Sequence, residues 1–392
     1  MRMVSVKVSR VAGVSFAVAF LLLTSTLCLA QSGGDVVGAF LQAAGQKESR
    51  GDFDGALVLY EKARAFKPAD PQVLNGLGRT YLAKRNYEKA LSFFRESVAK
   101  NKDNVAGYCN LAQLFEATQR YDDAMSFYKA ALAIAPHDPR VLNRVGLLCI
   151  KRNRPHEAMD FFNLAIKSDP KAYYVYMNRA RLLIGMRSFK GAIVNLDYLI
   201  TQGRRSADVY FSLGVCFNGL GKPEMALKLL AEAEKLGRPS HVIWGEMGRA
   251  YLQLPDPEGA RNAKRMYIRA LQEKRLATYH ANLGSALLRL DENGQATRQF
   301  EKALQLDSAN GMNVNNLATA YFKSGEKERA LAILDQGLRA SPSLMTMHYN
   351  KAMILKEMGR AQEAAAIFVD LAKQRNSKSI AELAELQLQK AE

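Results

Sequence analysis

Residues 71–104, PQVLNGLGRTYLAKRNYEKALSFFRESVAKNKDN, carry two apolar-periodic stretches that meet at Arg85 and Asn86. The first sets Leu74, Leu77, Tyr81 and Leu82 at three- to four-residue spacing, and the second does the same with Tyr87, Leu91, Phe94 and Val98. That spacing gathers the apolar side chains on one face of a helix. The stretch therefore predicts helix, turn, helix.

Ala90 is one of a series: Ala56, Ala90, Ala124, Ala158, Ala192, Ala226, Ala263, Ala296, Ala330 and Ala364. The intervals are 34, 34, 34, 34, 34, 37, 33, 34 and 34 residues. A fixed period of this length marks a stacked array, in which each unit buries its apolar face on its neighbours. A second small residue recurs at the eighth repeat position, as Gly78, Ala112, Gly146, Ala180, Gly214, Gly248, Gly284, Ala318 and Ala352, twelve places before the alanine except in repeat seven, where an insertion makes it fifteen. Small side chains there let facing helices approach closely. Pro68, Pro136, Pro170 and Pro342 close their repeats, because proline cannot continue a helix. Gly51, Gly221, Gly325 and Gly359 suit the turn inside the repeat, where a positive φ costs glycine little.

The pattern resembles the tetratricopeptide repeat (TPR) family. Residues 244–251, WGEMGRAY, lie close to that family's first-helix signature, and residues 141–170 match it at Gly146, Ala158, Phe162, Ala165 and Pro170. The resemblance implies an all-α, right-handed solenoid of about ten helix-turn-helix repeats. They run 37–70, 71–104, 105–138, 139–172, 173–206, 207–240, 241–276, 277–310, 311–344 and 345–378. Residues 379–392 keep Ile380, Leu383, Leu386 and Leu388 and read as a C-terminal capping helix. Two repeats depart from the pattern. Repeat seven carries an insertion around Pro255-Asp256-Pro257, expected to lengthen the loop between its helices. Repeat five lacks the closing proline, leaving Gln202-Gly203-Arg204-Arg205 as an exposed corner where the superhelical pitch is expected to change.

The N-terminus is a different kind of sequence. Arg2, Lys7 and Arg10 precede an uncharged apolar run over residues 11–30, which ends in Cys28-Leu29-Ala30. This is the layout of a secretory signal, with cleavage expected after Ala30 and a short linker over 31–36. Lipidation at Cys28 is the alternative, although Leu27 is larger than that processing favours. An uncleaved run would be long enough to anchor in a bilayer. Lipidated or uncleaved, the N-terminus would tether the chain to a membrane. The expected compartment is the periplasm or cell envelope. Cys109, Cys149 and Cys216 would remain after cleavage. An odd count is no disulfide framework, and the three read as small buried apolar residues.

Net charge is +17, with three of those charges on Arg2, Lys7 and Arg10. Such an excess favours acidic partners, and export argues against nucleic acid. The resemblance implies that the first helices line an inner groove. Its inward positions would hold Arg79, Arg140, Arg144, Lys151, Arg181, Arg249, Arg289, Lys323 and Lys356, opposed by Glu48, Glu116, Asp208, Glu246 and Glu357. Basic charge would then dominate, most densely over repeats two to five. Asn75, Arg79, Asn110, Arg140 and Arg144 approximate the clamp by which TPR co-chaperones hold a peptide's C-terminal carboxylate, with the first two chemistries exchanged in position. Asn110, Asn178, Asn282, Asn316 and Asn350 share one repeat position. They resemble the asparagine ladder by which the TPR arm of a glycosyltransferase holds extended peptide backbone. The bland alternative is that each asparagine bonds a neighbouring helix.

No phosphate-cradling glycine loop, Gly-x-Ser-x-Gly, His-Glu-x-x-His or Cys-x-x-Cys occurs. His137, His156, His241, His280 and His348 are scattered, with His280 and His348 expected in the core. No enzyme activity, cofactor or metal is expected. The leading expectation is an exported scaffold that binds a protein or peptide segment in its groove, the segment being acidic or ending in a free carboxylate. The alternative is an exported surface-binding protein, an adhesin or a binder of acidic glycan or lipid, that uses its basic outer surface.

Overall fold

A computed structural model describes residues 36–237, 240–373 and 378–389. The expected signal segment, its cleavage after Ala30, the Cys28 alternative and the linker up to residue 35 lie outside the described residues. Twenty-one α-helices and no strand occupy the described residues, so the chain is all-α as its periodicity implies. It divides into two compact units, residues 1–178 and 179–392.

Unit one holds four complete helix pairs, Val36–Ser49 with Phe53–Phe66, Pro71–Ala83 with Tyr87–Lys100, Val105–Ala117 with Tyr121–Ile134, and Pro139–Lys151 with Pro155–Ser168. Each second helix packs back on its own first helix, and the first three also pack on the first helix of the next repeat. Among repeats one to three the first helices also touch one another, which makes them an inner layer. The recurrent alanines explain that closeness: Ala56, Ala90, Ala124 and Ala158 are all 0% exposed. The second small position faces a large side chain of the partner helix. A Cβ added at Gly78 would come within 2.3 Å of the Phe94 ring, and one at Gly146 within 2.6 Å of Phe162. Helix starts follow from capping. The side chains of Asp70, Asn104 and Asp138 accept backbone N–H groups of the helices they precede, and Pro71 and Pro139 open theirs where no N–H is needed.

Unit two repeats this packing from Phe189–Thr201 to the last pair, Met345–Glu357 with Ala361–Ala372. First helices again touch their successors from Ala207–Gly219 onward. The final helix, Lys378–Gln389, packs on that last pair and buries Ala384. Gln202, Gly203, Arg204 and Arg205 are exposed, with Gly203 at φ 73°.

The turn inside each repeat needs a left-handed residue more often than the glycines suggest. Gly51, Gly221, Gly325 and Gly359 adopt it, and so do Arg85, Gln119, Asn153, Arg187 and Asp291, with φ of 57° to 60°. The following N–H then reaches back to close the helix, as Asn86 N does to the Tyr81 carbonyl at 2.9 Å. Repeat seven cannot do this, because Pro255 fixes φ near −65° and has no N–H. The expected longer loop is corrected accordingly. Three residues still separate Ser240–Gln253 from Pro257–Glu273, and the insertion instead adds a turn to the second helix, which reaches 17 residues. Arg289 of the next repeat supplies the missing donors. Its Nη1 donates to the Leu252 carbonyl at 2.6 Å, and its Nη2 to those of Leu254 at 2.7 Å and Asp256 at 3.3 Å.

Candidate functional site: the inner face of the first helices

In unit one, two tyrosines rise from second helices to the inner face and meet an acid there. Tyr60 Oη donates to Glu48 Oε2 at 3.0 Å, and Tyr128 Oη to Glu116 Oε1 at 2.6 Å. A base from the next repeat completes each group. Arg79 Nη2 donates to Glu48 Oε2 and to Tyr60 Oη, both at 3.2 Å, and Lys151 Nζ lies 2.7 Å from Glu116 Oε2. Burial, with the Glu48 charge behind it, pushes the Tyr60 hydroxyl up to about 12. Burial, followed by the hydrogen bond to Glu116, raises the Tyr128 hydroxyl as well. These trios were legible in the sequence as glutamate twelve residues before tyrosine, a coincidence that helix periodicity alone does not flag.

The five clamp residues have different surroundings. Arg79 is committed to Glu48. Asn75 and Asn110 are buried at 4% and 7% exposure, and Asn75 Oδ1 has no hydrogen-bond partner. Arg140 and Arg144 both act on the Cys109 thiol, beside Asn110. Burial, helped by the Asp138 carboxylate, pushes that thiol up to about 11 against their pull. Arg140 pairs with Asp138 at the start of its own helix, Nη2 to Oδ2 at 2.8 Å, and its side chain is 82% exposed. Arg144 is exposed, and no carboxylate of the described residues lies within ion-pairing distance of it. With Glu116, Leu147, Ile150 and Lys151 it lines a hollow of about 250 Å³.

The asparagines divide as well. Asn178 Nδ2 donates to Asn143 Oδ1 at 2.8 Å, and in unit two Asn350 Nδ2 donates to Asn315 Oδ1 at 2.8 Å. Both therefore bond a neighbouring first helix. Asn282 is half-buried beside the Tyr267 hydroxyl, and Asn316 is half-buried. Tyr267 has no acid partner, since Leu252 stands where Glu48 and Glu116 serve the other two tyrosines, and Asn282 is its polar neighbour.

Unit two engages most of its expected groove cations. Arg181 Nη2 meets Asp208 Oδ2 at 3.2 Å, Arg249 Nη2 meets Glu246 Oε2 at 2.7 Å, and Lys356 Nζ donates to Gln387 Oε1 at 3.1 Å. Arg289 is spent on the repeat-seven turn. The free positive charge is thus smaller than the count of basic positions implies, because most of these cations have a neighbour about one repeat away or close by in sequence. Arg181 also borders a hollow of about 170 Å³ with Ile184, Asp208, Phe211, Ser212 and Val215. The floor is apolar and the rim carries one charge of each sign.

His280 is 9% exposed with Nδ1 2.8 Å from Gln299 Oε1, so it belongs to the core. His348 does not: its Nε2 faces the Pro342 carbonyl at 2.8 Å, and Met347 is the buried residue. Cys149 and Cys216 are buried thiols, and Cys109 is partly buried. Among the described residues no group of three or more His, Cys, Asp or Glu could hold a metal ion. No helix of the described residues is long and apolar enough to cross a membrane.

Models of the tetratricopeptide repeat match residues 49–114, 83–143, 115–182, 277–310 and 315–380. The chain is 23% identical to BBSome complex member BBS4 of Bos taurus over 282 residues, 72% of this chain and 54% of that protein. It is 24% identical to protein O-mannosyl-transferase TMTC3 of Homo sapiens over 329 residues, 78% of this chain and 35% of that protein. The chain spans about half the length, or less, of these curated relatives. Among solved structures, a tetratricopeptide repeat protein from Parabacteroides merdae ATCC 43184 overlays with a TM-score of 0.43 at 16% identity, covering 72% of this chain and 98% of that one.

Proposed function

We propose that this chain, which belongs to the tetratricopeptide repeat family, is a non-catalytic scaffold that holds a segment of a partner protein against its first helices. The observation that carries this reading is the hollow between Arg181 and Val215. Ile184, Phe211 and Val215 give it an apolar floor, and Arg181 and Asp208 give it a charged rim. An apolar side chain of a bound segment would be desolvated on that floor, while the rim charges orient its polar backbone or neighbours. In unit one, Arg144 beside Leu147 and Ile150 offers a similar surface with a cation free for an acidic residue or a terminal carboxylate.

The reading includes export. Its support is the charged start at Arg2, Lys7 and Arg10 followed by the uncharged run over residues 11–30. The working compartment is then the periplasm or envelope, with a mature N-terminus at Gln31.

Crosslinking capture from an envelope fraction tests the scaffold. Wild type is compared with Arg144→Glu/Arg181→Glu, both exposed side chains whose change leaves the core intact. A protein captured by wild type and lost by the variant is the expected result. Equal capture by both refutes inner-face binding. N-terminal sequencing of the exported chain tests the compartment: Gln31 first is expected, and Met1 retained in the cytosolic fraction refutes export.

A further inference from the structure

Two successive junctions on the outer face of unit one carry the same slot, filled in the first and open in the second. Between the second helices of repeats one and two, the Arg64 guanidinium lies over the Phe93 ring, 5.1 Å from its centroid. Arg64 also faces Glu96 Oε2 at 3.9 Å. The chain fills this slot with its own planar cation. One repeat later, the residues that correspond to Arg64, Phe93 and Glu96 are Val98, Phe127 and Ala130. The long arginine has become a short, 7%-exposed valine, and the acid an alanine. What remains is a hollow of about 340 Å³ lined by Arg95, Val98, Lys102, Tyr108, Leu111 and Phe127, with Ala99 at its edge.

The two charges in this lining are both cations. Arg95 and Lys102 are exposed, neither pairs with a carboxylate of the described residues, and no acid lines the hollow. Phe127 is held rigid at the floor by stacking on Phe115, with centroids 5.3 Å apart and planes 3° from parallel. Desolvating such a floor requires an apolar group. Satisfying the rim requires carboxylates, and a cation like the one that fills the neighbouring slot would meet like charge.

We propose that this slot docks an acidic, extended protein segment through one aromatic side chain laid against Phe127, its flanking carboxylates meeting Arg95 and Lys102. The site is separate from the inner face and does not depend on the scaffold reading above.

Fluorescence anisotropy with the purified chain tests it, using fluorescein-labelled GSEEFEEGS, GSEEGEEGS and GSKKFKKGS. The first peptide binds at least about ten-fold more tightly than the other two, a difference of about 1.4 kcal/mol. Raised salt weakens it. Arg95→Glu/Lys102→Glu removes the binding. Ala99→Gln weakens it several-fold by filling the hollow. Ala99 is exposed, and glutamines 272 and 305 occupy its place in repeats seven and eight, so the fold accepts the change. Arg144→Glu/Arg181→Glu leaves the binding intact. Equal binding of the phenylalanine and glycine peptides overturns the proposal, because charge alone would then account for the contact. Retained affinity in Arg95→Glu/Lys102→Glu overturns it too. So does capture of phosphatidylglycerol vesicles without peptide selectivity, which would assign the surface to a membrane. Loss of binding in Arg144→Glu/Arg181→Glu with Arg95→Glu/Lys102→Glu unaffected would return the peptide to the inner face, sinking this proposal while sparing the scaffold.

Discussion

Truncating Arg289 to alanine isolates what the guanidinium does for repeat seven. It holds two carbonyls at 2.6 and 2.7 Å and a third at 3.3 Å, all in the stretch that Pro255 deprives of its normal closure. Charge-assisted hydrogen bonds contribute about 1.5–3 kcal/mol each when sheltered. This side chain is exposed and the freed carbonyls return to water, so the two short bonds are discounted to a combined loss of about 1–2 kcal/mol. A stacked array yields locally, so the loss is expected first at the junction of repeats seven and eight. Amide exchange across the end of Ser240–Gln253 and the start of Pro257–Glu273 should quicken about ten-fold in Arg289→Ala, while repeats three and four stay unchanged. Arg289→Lys should recover less than half, because a point cation cannot span three carbonyls. Arg261→Ala, which removes an exposed pair to Glu258 on the same helix, should do little. Unaltered exchange in Arg289→Ala, or a lysine variant equal to wild type, would refute the capping argument.

Four further outcomes are expected. Replacing Arg85, Gln119 or Arg187 by glycine should raise stability by about 0.5–1 kcal/mol each in urea unfolding, since each holds a φ near 60° that costs a side chain; a loss would refute the strain. Gly78→Ala should cost about 1–3 kcal/mol in the same assay, because its Cβ would fall 2.3 Å from Phe94. Stability should hold up to about pH 10 and fall as pH rises toward 12, because the folded chain keeps the protons of Tyr60 and Tyr321, each pushed up to about 12, where the unfolded chain loses them near 10. A thermal midpoint that climbs over that range would contradict it. Native Cys149 and Cys216 should resist iodoacetamide at pH 8 while Cys109 reacts slowly, since burial pushes their thiols up to about 11, 12 and 11 respectively; mass spectrometry of labelled peptides decides it.

The helical repeat was legible because periodicity and small-residue placement are local signals that recur. Ala90 or Gly78 can be read without knowing what lies opposite. Pairing is less legible. Arg140 turns to Asp138 two residues away, whereas Arg79 reaches Glu48 thirty-one residues back, and nothing in either arginine's own neighbourhood distinguishes the two. The same gap explains the left-handed Arg85 and Gln119. The turn geometry is imposed by the packing of two helices, so the residue need not be glycine. Repeat seven shows the converse, where a single proline has an outcome fixed by a side chain of the next repeat.

The two asparagine pairs carry a consequence of another kind. Asn143 with Asn178, and Asn315 with Asn350, each span 35 residues, one more than the repeat. Apolar contact between neighbouring first helices tolerates small slides, whereas a directed amide bond does not. Each pair therefore acts as an index pin, setting how far one rung is displaced along the next. A bound extended chain advances about 3.3 Å per residue. At the pinned rungs, the inner face meets such a chain with fixed graduation. Elsewhere longer ionic side chains span the rungs, as Arg79 does to Glu48, and allow more slide, so a partner's fit would be strict at some rungs and forgiving at others.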